Sequence, residues 1–262
     1  GDEISKAKYS AQMERSLGLG AMGLHSYFHK HRVSFDSYEA RQINDAIFKF
    51  IKTEAVEESK LLASERGECP DMQGSGLRNS HLLAIAPNAN SSIILNTSPS
   101  IEPLKANAYT HRTRVGSHLV KNKYLEEELE TLGKNTDEIW SSIITSGGSV
   151  QHLAFLDDHL KDVFRTAIEI DQLDLIEHAA DRQAYLCQGQ SLNIFFPAGA
   201  QKAYLHRVHY RAWERGCKGL YYLRTESSSR AENVAQKVAR VALEDYESYR
   251  EVDQDDCEAC QG

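Results

Sequence analysis

Leu192-Asn193-Ile194-Phe195-Phe196, a run over 199–215, and Lys218-Gly219-Leu220-Tyr221-Tyr222-Leu223 decide the fold class. The first and last stretches are short and rich in apolar and aromatic residues, which is the chemistry of buried strands. Between them Ala203, Leu205, Val208, Ala212 and Trp213 recur at helical spacing, and Gly216 supplies the exit. Strand, helix and strand with short connections make a βαβ unit, whose strands pair parallel. The chain is therefore α/β.

Moving outward toward the C-terminus, Val234, Val238, Val241 and Ala242 mark a last helix, and hydrophobic periodicity ends after Arg250. Glu244 to Gly262 carries eight acids against Arg250 alone, so nearly all of the net charge of -8 belongs to this stretch. Such a segment, poor in apolar residues, is expected to be a flexible tail over 247–262, set apart from a folded body over 1–246. Toward the N-terminus, Asp36 and Glu39 give a capping signature ahead of Ile43, Ile47, Phe50, Ile51 and Ala55. That pattern predicts one long helix ending at Gly67, with Pro70 beyond it. Leu82 to Ala86 reads as a buried strand stopped by Pro87, followed by a polar loop and Ile93-Ile94-Leu95. Residues 96–120 look irregular, and helices are expected at about 121–132, 136–145, 150–170 and 173–187.

Composition excludes several classes. The 262 residues hold 26% charged and 41% hydrophobic residues, as in a soluble globular protein of one large or two small domains. A net charge of -8 argues against nucleic acid as the partner. No apolar run exceeds about five residues, where a membrane helix needs roughly 20, so no membrane is implied. The start Gly1-Asp2-Glu3 shows no signal peptide, and Met13 is the first methionine. Five cysteines make no even framework, which points to a reducing compartment and a cytoplasmic location.

Three features carry candidate chemistry. Cys257-Glu258-Ala259-Cys260 can close a disulfide, but lacks the further ligands of a structural zinc site and the strand of a thioredoxin-type redox helix. Acidic neighbours disfavour its thiolates. What remains is either a mobile dithiol that shuttles electrons or an incidental exposed pair. Tyr221 and Tyr222 are adjacent strand residues; in a regular strand one faces the core and the other the opposite side. A proton-coupled electron role needs the rings stacked with the phenols in reach of each other. Pro87-Asn88-Ala89-Asn90-Ser91-Ser92, following a buried strand, is an ordinary turn or a nest of N–H groups suited to a diphosphate. His25, His29 and His31 lack completing metal ligands, His206 and His209 read as surface residues, and Lys105, His111, Arg112, Arg114 and His118 read as a solvated basic face or subunit contact. Cys69, Cys187 and Cys217 read as buried or inert thiols.

In order, Arg15-Ser16-Leu17-Gly18-Leu19-Gly20, the Pro87 to Ser92 loop with Ile101-Glu102-Pro103 after it, Leu220-Tyr221-Tyr222, and Cys257/Cys260 resemble the C-terminal third of the large, catalytic alpha subunit of class I ribonucleotide reductase. The resemblance spans essentially the whole chain. It implies the second part of a ten-stranded α/β barrel, built of two five-stranded parallel halves with surrounding helices. It implies reduction of ribonucleoside diphosphates to 2′-deoxyribonucleoside diphosphates by a radical mechanism. Pro87, Asn88, Ala89, Asn90 and Ser91 would bind the substrate phosphates, although Asn88 and Asn90 stand where the family commonly has small hydroxyl residues. Tyr221 and Tyr222 would relay the radical from the small beta subunit, which holds the metal-radical cofactor. Cys257 and Cys260 would re-reduce the active site and be reduced by thioredoxin or glutaredoxin.

The family's Asn-x-Cys-x-Glu radical-cysteine loop is absent from the sequence. The resemblance therefore implies a split, processed or truncated large subunit, inactive alone, that binds no cofactor itself. Its partner would be an N-terminal large-subunit polypeptide carrying the radical cysteine and the sites for nucleotide effectors. If phage-encoded, it would work in the host cytoplasm. A non-catalytic relic of the large subunit and a stand-alone thiol-disulfide oxidoreductase are the alternative readings.

Overall fold

The computed structural model describes residues 4–113 and 116–225. The expected helix near Val234 to Ala242, the 246/247 boundary, the acidic tail with Cys257 and Cys260, and Arg114 lie outside the described residues. In chain order the elements are α1 (Ser5–Glu14), α2 (Leu24–Lys30), α3 (Tyr38–Arg66), α4 (Ala89–Ile94), β1 (Ala108–Thr113), β2 (Gly116–Lys121), α5 (Lys123–Thr131), α6 (Asp137–Thr145), α7 (Asp158–Val163), α8 (Gln172–Gln183), β3 (Ile194–Phe196), α9 (Lys202–Glu214) and β4 (Leu223–Thr225).

The expected βαβ unit is present. β3 pairs parallel with β4 in the register Ile194 to Leu223, Phe195 to Arg224 and Phe196 to Thr225, and α9 forms the crossover. The second strand begins later than expected, at Leu223, but the pairing reaches back. Tyr221 N–H donates to Leu192 O at 2.8 Å and Ile194 N–H to Tyr222 O at 3.0 Å. β3 is wholly buried and supplies Phe195 and Phe196 to the main core.

Two further parallel contacts continue this layer. Leu19 bridges Leu83, and Ile85 bridges Gln190. The 82–86 run is thus extended and central, though it makes isolated bridges rather than a full ladder. The Arg15 to Gly20 stretch lies against it because its glycines permit close approach. A Cβ on Gly20 would stand 2.5 Å from Ala84 O. The parallel α/β layer matches the expected class; among the described residues the pairings form two two-stranded sheets and these bridges, with no closed sheet.

α3 is the long helix the periodicity predicts, capped one residue later than expected: Ser37 Oγ accepts from Ala40 N–H. Asp36 instead pairs with Arg165 at 2.8 Å. α3, α8 and α9 are tied by one ion network. Arg41 reaches Asp181 at 2.7 Å, Arg211 reaches Glu177 at 2.6 Å, and Arg215 reaches Glu177 at 3.2 Å.

Three expectations need correction. Residues 89–94 are helical, so neither the polar loop nor Ile93 to Leu95 is as read. Residues 96–120 contain the antiparallel hairpin β1–β2, with His111 opposite His118. The expected 150–170 helix shrinks to α7. Before it, Leu153 N–H bonds Val150 O and Leu156 N–H bonds Leu153 O, so successive tight turns repeat every three residues. Those turns bury Val150, Leu153 and Leu156 with Trp140, Ile143, Leu125 and Leu129 in a second core.

Candidate functional site

Tyr221 and Tyr222 end up side by side. Backbone bonds to Leu192 and Ile194 hold them just before β4, where the chain has not settled into regular strand alternation. Their ring centroids are 4.0 Å apart at 48°. Tyr221 O–H donates to Tyr222 Oη at 3.3 Å. Neither ring is in the core, their exposures being 47% and 42%. The one-in, one-out arrangement of a regular strand does not hold here. The bond to Tyr222 raises the Tyr221 phenol above its ordinary pKa, while Arg224 pulls it the other way. The Arg224 guanidinium stacks over the Tyr222 ring, 4.4 Å from its centroid. Two phenols in mutual hydrogen-bond reach can exchange a proton and an electron over one short step.

Pro87, Asn88, Ala89, Asn90 and Ser91 lie where the central extended run meets α4. Asn88 is the N-cap, with φ 53 and ψ 33, a left-handed conformation that asparagine tolerates better than most residues. Its side chain does not cap the helix. The first-turn N–H groups of Ala89, Asn90 and Ser91 therefore have no helical acceptor, and all three residues are exposed. Ser92 differs: it is buried, and its Oγ donates to Ala89 O at 2.8 Å. The arrangement presents unpaired donors to solvent, which suits an anion.

A buried acid lies one hydrogen-bonded residue away from the tyrosines. Glu102 is 3% exposed. Burial pushes its carboxyl up, opposed by hydrogen bonds from Asn193 and by the charges of Lys105 and Arg224. The signal available was an ionisable residue set between Ile101 and Pro103 in a buried turn; Asn193 and Arg224 gave no signal of their own.

Two of the three N-terminal histidines are also placed differently from surface residues. His25 and His29 are buried, with ring centroids 3.9 Å apart. Among the described residues no group of three or more His, Cys, Asp or Glu is arranged to hold a metal ion. His206 and His209 are exposed on α9. Cys69 is buried and free, as are the partly exposed Cys187 and Cys217 free of disulfide partners. Burial opposes the Cys187 thiolate, yet N–H groups of Leu83 and Leu82 donate to the sulfur and Lys52 lies nearby, leaving its pKa lowered. No helix of the described residues is long and apolar enough to cross a membrane.

Comparison with known proteins identifies the family. Residues 1–75 and 71–223 match the family model "Ribonucleotide reductase, barrel domain". The chain is 57% identical over 221 residues to a protein of Frog virus 3 (isolate Goorha), covering 84% of this chain and 39% of that one. It is 45% identical over 237 residues to the ribonucleoside-diphosphate reductase large subunit of Invertebrate iridescent virus 6, covering 88% of this chain and 25% of that protein. Among solved structures, the Actinobacillus ureae class Id ribonucleotide reductase alpha subunit superposes with a TM-score of 0.80 at 41% identity, over 86% of this chain and 42% of that one. The chain thus spans between a quarter and two-fifths of the relatives' length. By family model, relatives and superposition alike, it belongs to the ribonucleotide reductase large-subunit family, of whose barrel domain it represents the C-terminal portion.

Proposed function

We propose that this chain works within a ribonucleoside-diphosphate reductase, supplying substrate phosphate binding, the tyrosine radical relay and the reducing dithiol. The observation that carries the reading is the Tyr221–Tyr222 pair, with phenol oxygens 3.3 Å apart at the surface. A surface pair of this kind accepts an electron hole from a partner protein and passes it inward. The partner is the small beta subunit with its metal-radical cofactor. The exposed donors of Ala89, Asn90 and Ser91, with Pro87 and Asn88 shaping the turn, hold the diphosphate of the substrate. Cys257 and Cys260 supply two electrons and two protons, so that the ribose 2′-OH leaves as water and the dithiol becomes a disulfide. Thioredoxin or glutaredoxin restores it. The barrel is the ten-stranded one of the family, and this chain contributes its later strands.

The Asn-x-Cys-x-Glu region comes from other polypeptide, whether a longer form of this chain or a companion that also binds the nucleotide effectors. The 262 residues alone are inactive on this reading, and the assembly works in the cytoplasm.

Reconstitution tests the whole. The chain is mixed with polypeptide carrying the Asn-x-Cys-x-Glu region and with the small subunit, and deoxyribonucleoside diphosphate is measured. Turnover should appear only in the mixture and vanish in Tyr222→Phe. Cys260→Ser should stop after about one turnover until a small dithiol is added. Reduction by the 262 residues alone, or an active Tyr222→Phe mixture, would refute the reading.

A further inference from the structure

Glu102 is a buried ionisable group that the proposed function leaves unused. After α4 the chain turns through Asn96 and Ser100, both left-handed at φ 46 and φ 49, and re-enters the protein at Ile101 and Glu102. Both carboxylate oxygens then fall on one residue. Asn193 N–H donates to Oε1 at 2.7 Å and Asn193 Nδ2 to Oε2 at 3.1 Å. The other half of that amide is turned to the tyrosines: Tyr222 N–H donates to Asn193 Oδ1 at 3.2 Å.

The chemistry of the three groups explains the order. An ionised carboxylate accepts hydrogen bonds and donates none, whereas an amide has a donating and an accepting half. Glu102 therefore selects the NH2 half of Asn193. The carbonyl half is left for the Tyr222 N–H, between the two backbone bonds that Tyr221 and Tyr222 make to Leu192 and Ile194.

We propose that Glu102 is a positioning residue for Tyr222: it orients the Asn193 amide, which holds the Tyr222 backbone and with it the phenol pair in register. The inference rests on the relay reading of the two tyrosines. It adds a residue 91 positions upstream of Asn193, on the return from the phosphate-binding turn. Glu102 acts through another side chain, that of Asn193.

The test is Glu102→Gln, which keeps shape but can donate as well as accept, so the amide orientation is no longer imposed. 3-Fluorotyrosine is placed at position 222 of the full chain and its fluorine resonance recorded, and the Tyr222 amide exchange rate is measured beside it. The resonance should shift or split and exchange should quicken about tenfold. In the reconstituted mixture kcat per folded chain, with the folded fraction read from circular dichroism, should fall about tenfold with the substrate KM unchanged. Should Glu102→Gln fail to fold, Glu102→Asp retains the charge and withdraws it by one methylene, and should show a smaller change of the same kind. An unchanged resonance and exchange rate overturns the inference. So does a shifted resonance with undiminished kcat where Tyr222→Phe is inactive. If Tyr222→Phe retains turnover, the relay reading fails, and the positioning contact is then judged by the resonance and exchange alone.

Discussion

Acid should unfold this protein through three buried histidines. His25 and His29 on α2 and His178 on α8 share one aromatic pocket with Phe28, Phe35 and Phe164. Each uses one ring nitrogen. His25 Nδ1 accepts from Leu104 N–H at 2.9 Å, His29 Nδ1 lies 3.1 Å from Asn122 Nδ2, and His178 Nε2 lies 2.7 Å from Phe35 O. Burial drives His29 and His178 down to about 3, with Arg182 adding to the effect on His178. Burial, then His29 and His178, hold His25 well below its ordinary value.

The folded state thus stays unprotonated where the unfolded chain takes up three protons. Stability is intact above about pH 6.5 and is lost as pH falls from there toward 3. His29 and His178 each cost about 1.9 kcal/mol between pH 7 and pH 5, about 4 kcal/mol together, and His25 adds in the same direction. Asp174, pushed up to about 6 by burial and by Asp171 and Asp36, works in the opposite sense. Its return is at most about 1.3 kcal/mol, less for its partial solvent exposure. The net loss of about 3 kcal/mol, to which His25 adds, is a large fraction of the stability of an ordinary domain. Urea denaturation of the full chain at pH 7, 6 and 5 measures it. His178→Gln should flatten the profile by about 1.4 kcal/mol per pH unit below pH 6. Histidine proton resonances of the folded chain titrating near 6.5 at these three positions, or a loss below about 1 kcal/mol between pH 7 and 5, would refute the reasoning.

Two other perturbations follow from the packing. Gly20→Ala should lower stability by about 1–3 kcal/mol, because the new methyl meets the backbone oxygen of Ala84 at 2.5 Å and neither strand can yield freely; thermal melting will show it. Glu177→Gln removes the acid shared by Arg41, Arg211 and Arg215, and should cost about 1–2 kcal/mol at low salt and less at high salt, read from denaturation midpoints at two ionic strengths.

How legible all this was depended on whether local pattern and tertiary role agreed. Apart from the exposed Phe50 and Trp213, the apolar residues read as the stripes of α3 and α9 largely face the core, so periodicity found both helices. The βαβ unit was legible for the same reason, since β3 is buried on both faces. The hairpin was not. Tyr109-Thr110-His111 alternates no apolar face, and β1 and β2 are held by pairing with each other. At 150–156 the pattern misled, because turns closing every three residues bury Val150, Leu153 and Leu156 at a spacing that imitates a helix. The Asn88 turn is legible as an ordinary turn or a nest of free N–H groups, but the six-residue helix after it is not: its small polar residues read as a loop, and its apolar residues Ile93 and Ile94 are β-branched and point to solvent.

The tyrosine pair shows why a buried acid is needed at a surface site. Its rings are about half exposed, so packing does little to fix them, and the three paired positions of β3 and β4 make a short parallel ladder. A one-residue slip of such a ladder would turn each side chain to the other face and break the phenol contact. Something other than the rings and the ladder has to pin the register. Asn193 does so with a side chain rather than a strand bond, and an amide can serve only if its two halves are told apart. Glu102, desolvated and limited to accepting, tells them apart. A neutral residue at 102 would leave the phenols present and correctly spaced in sequence, but free to lose the 3.3 Å contact on which their proposed exchange depends.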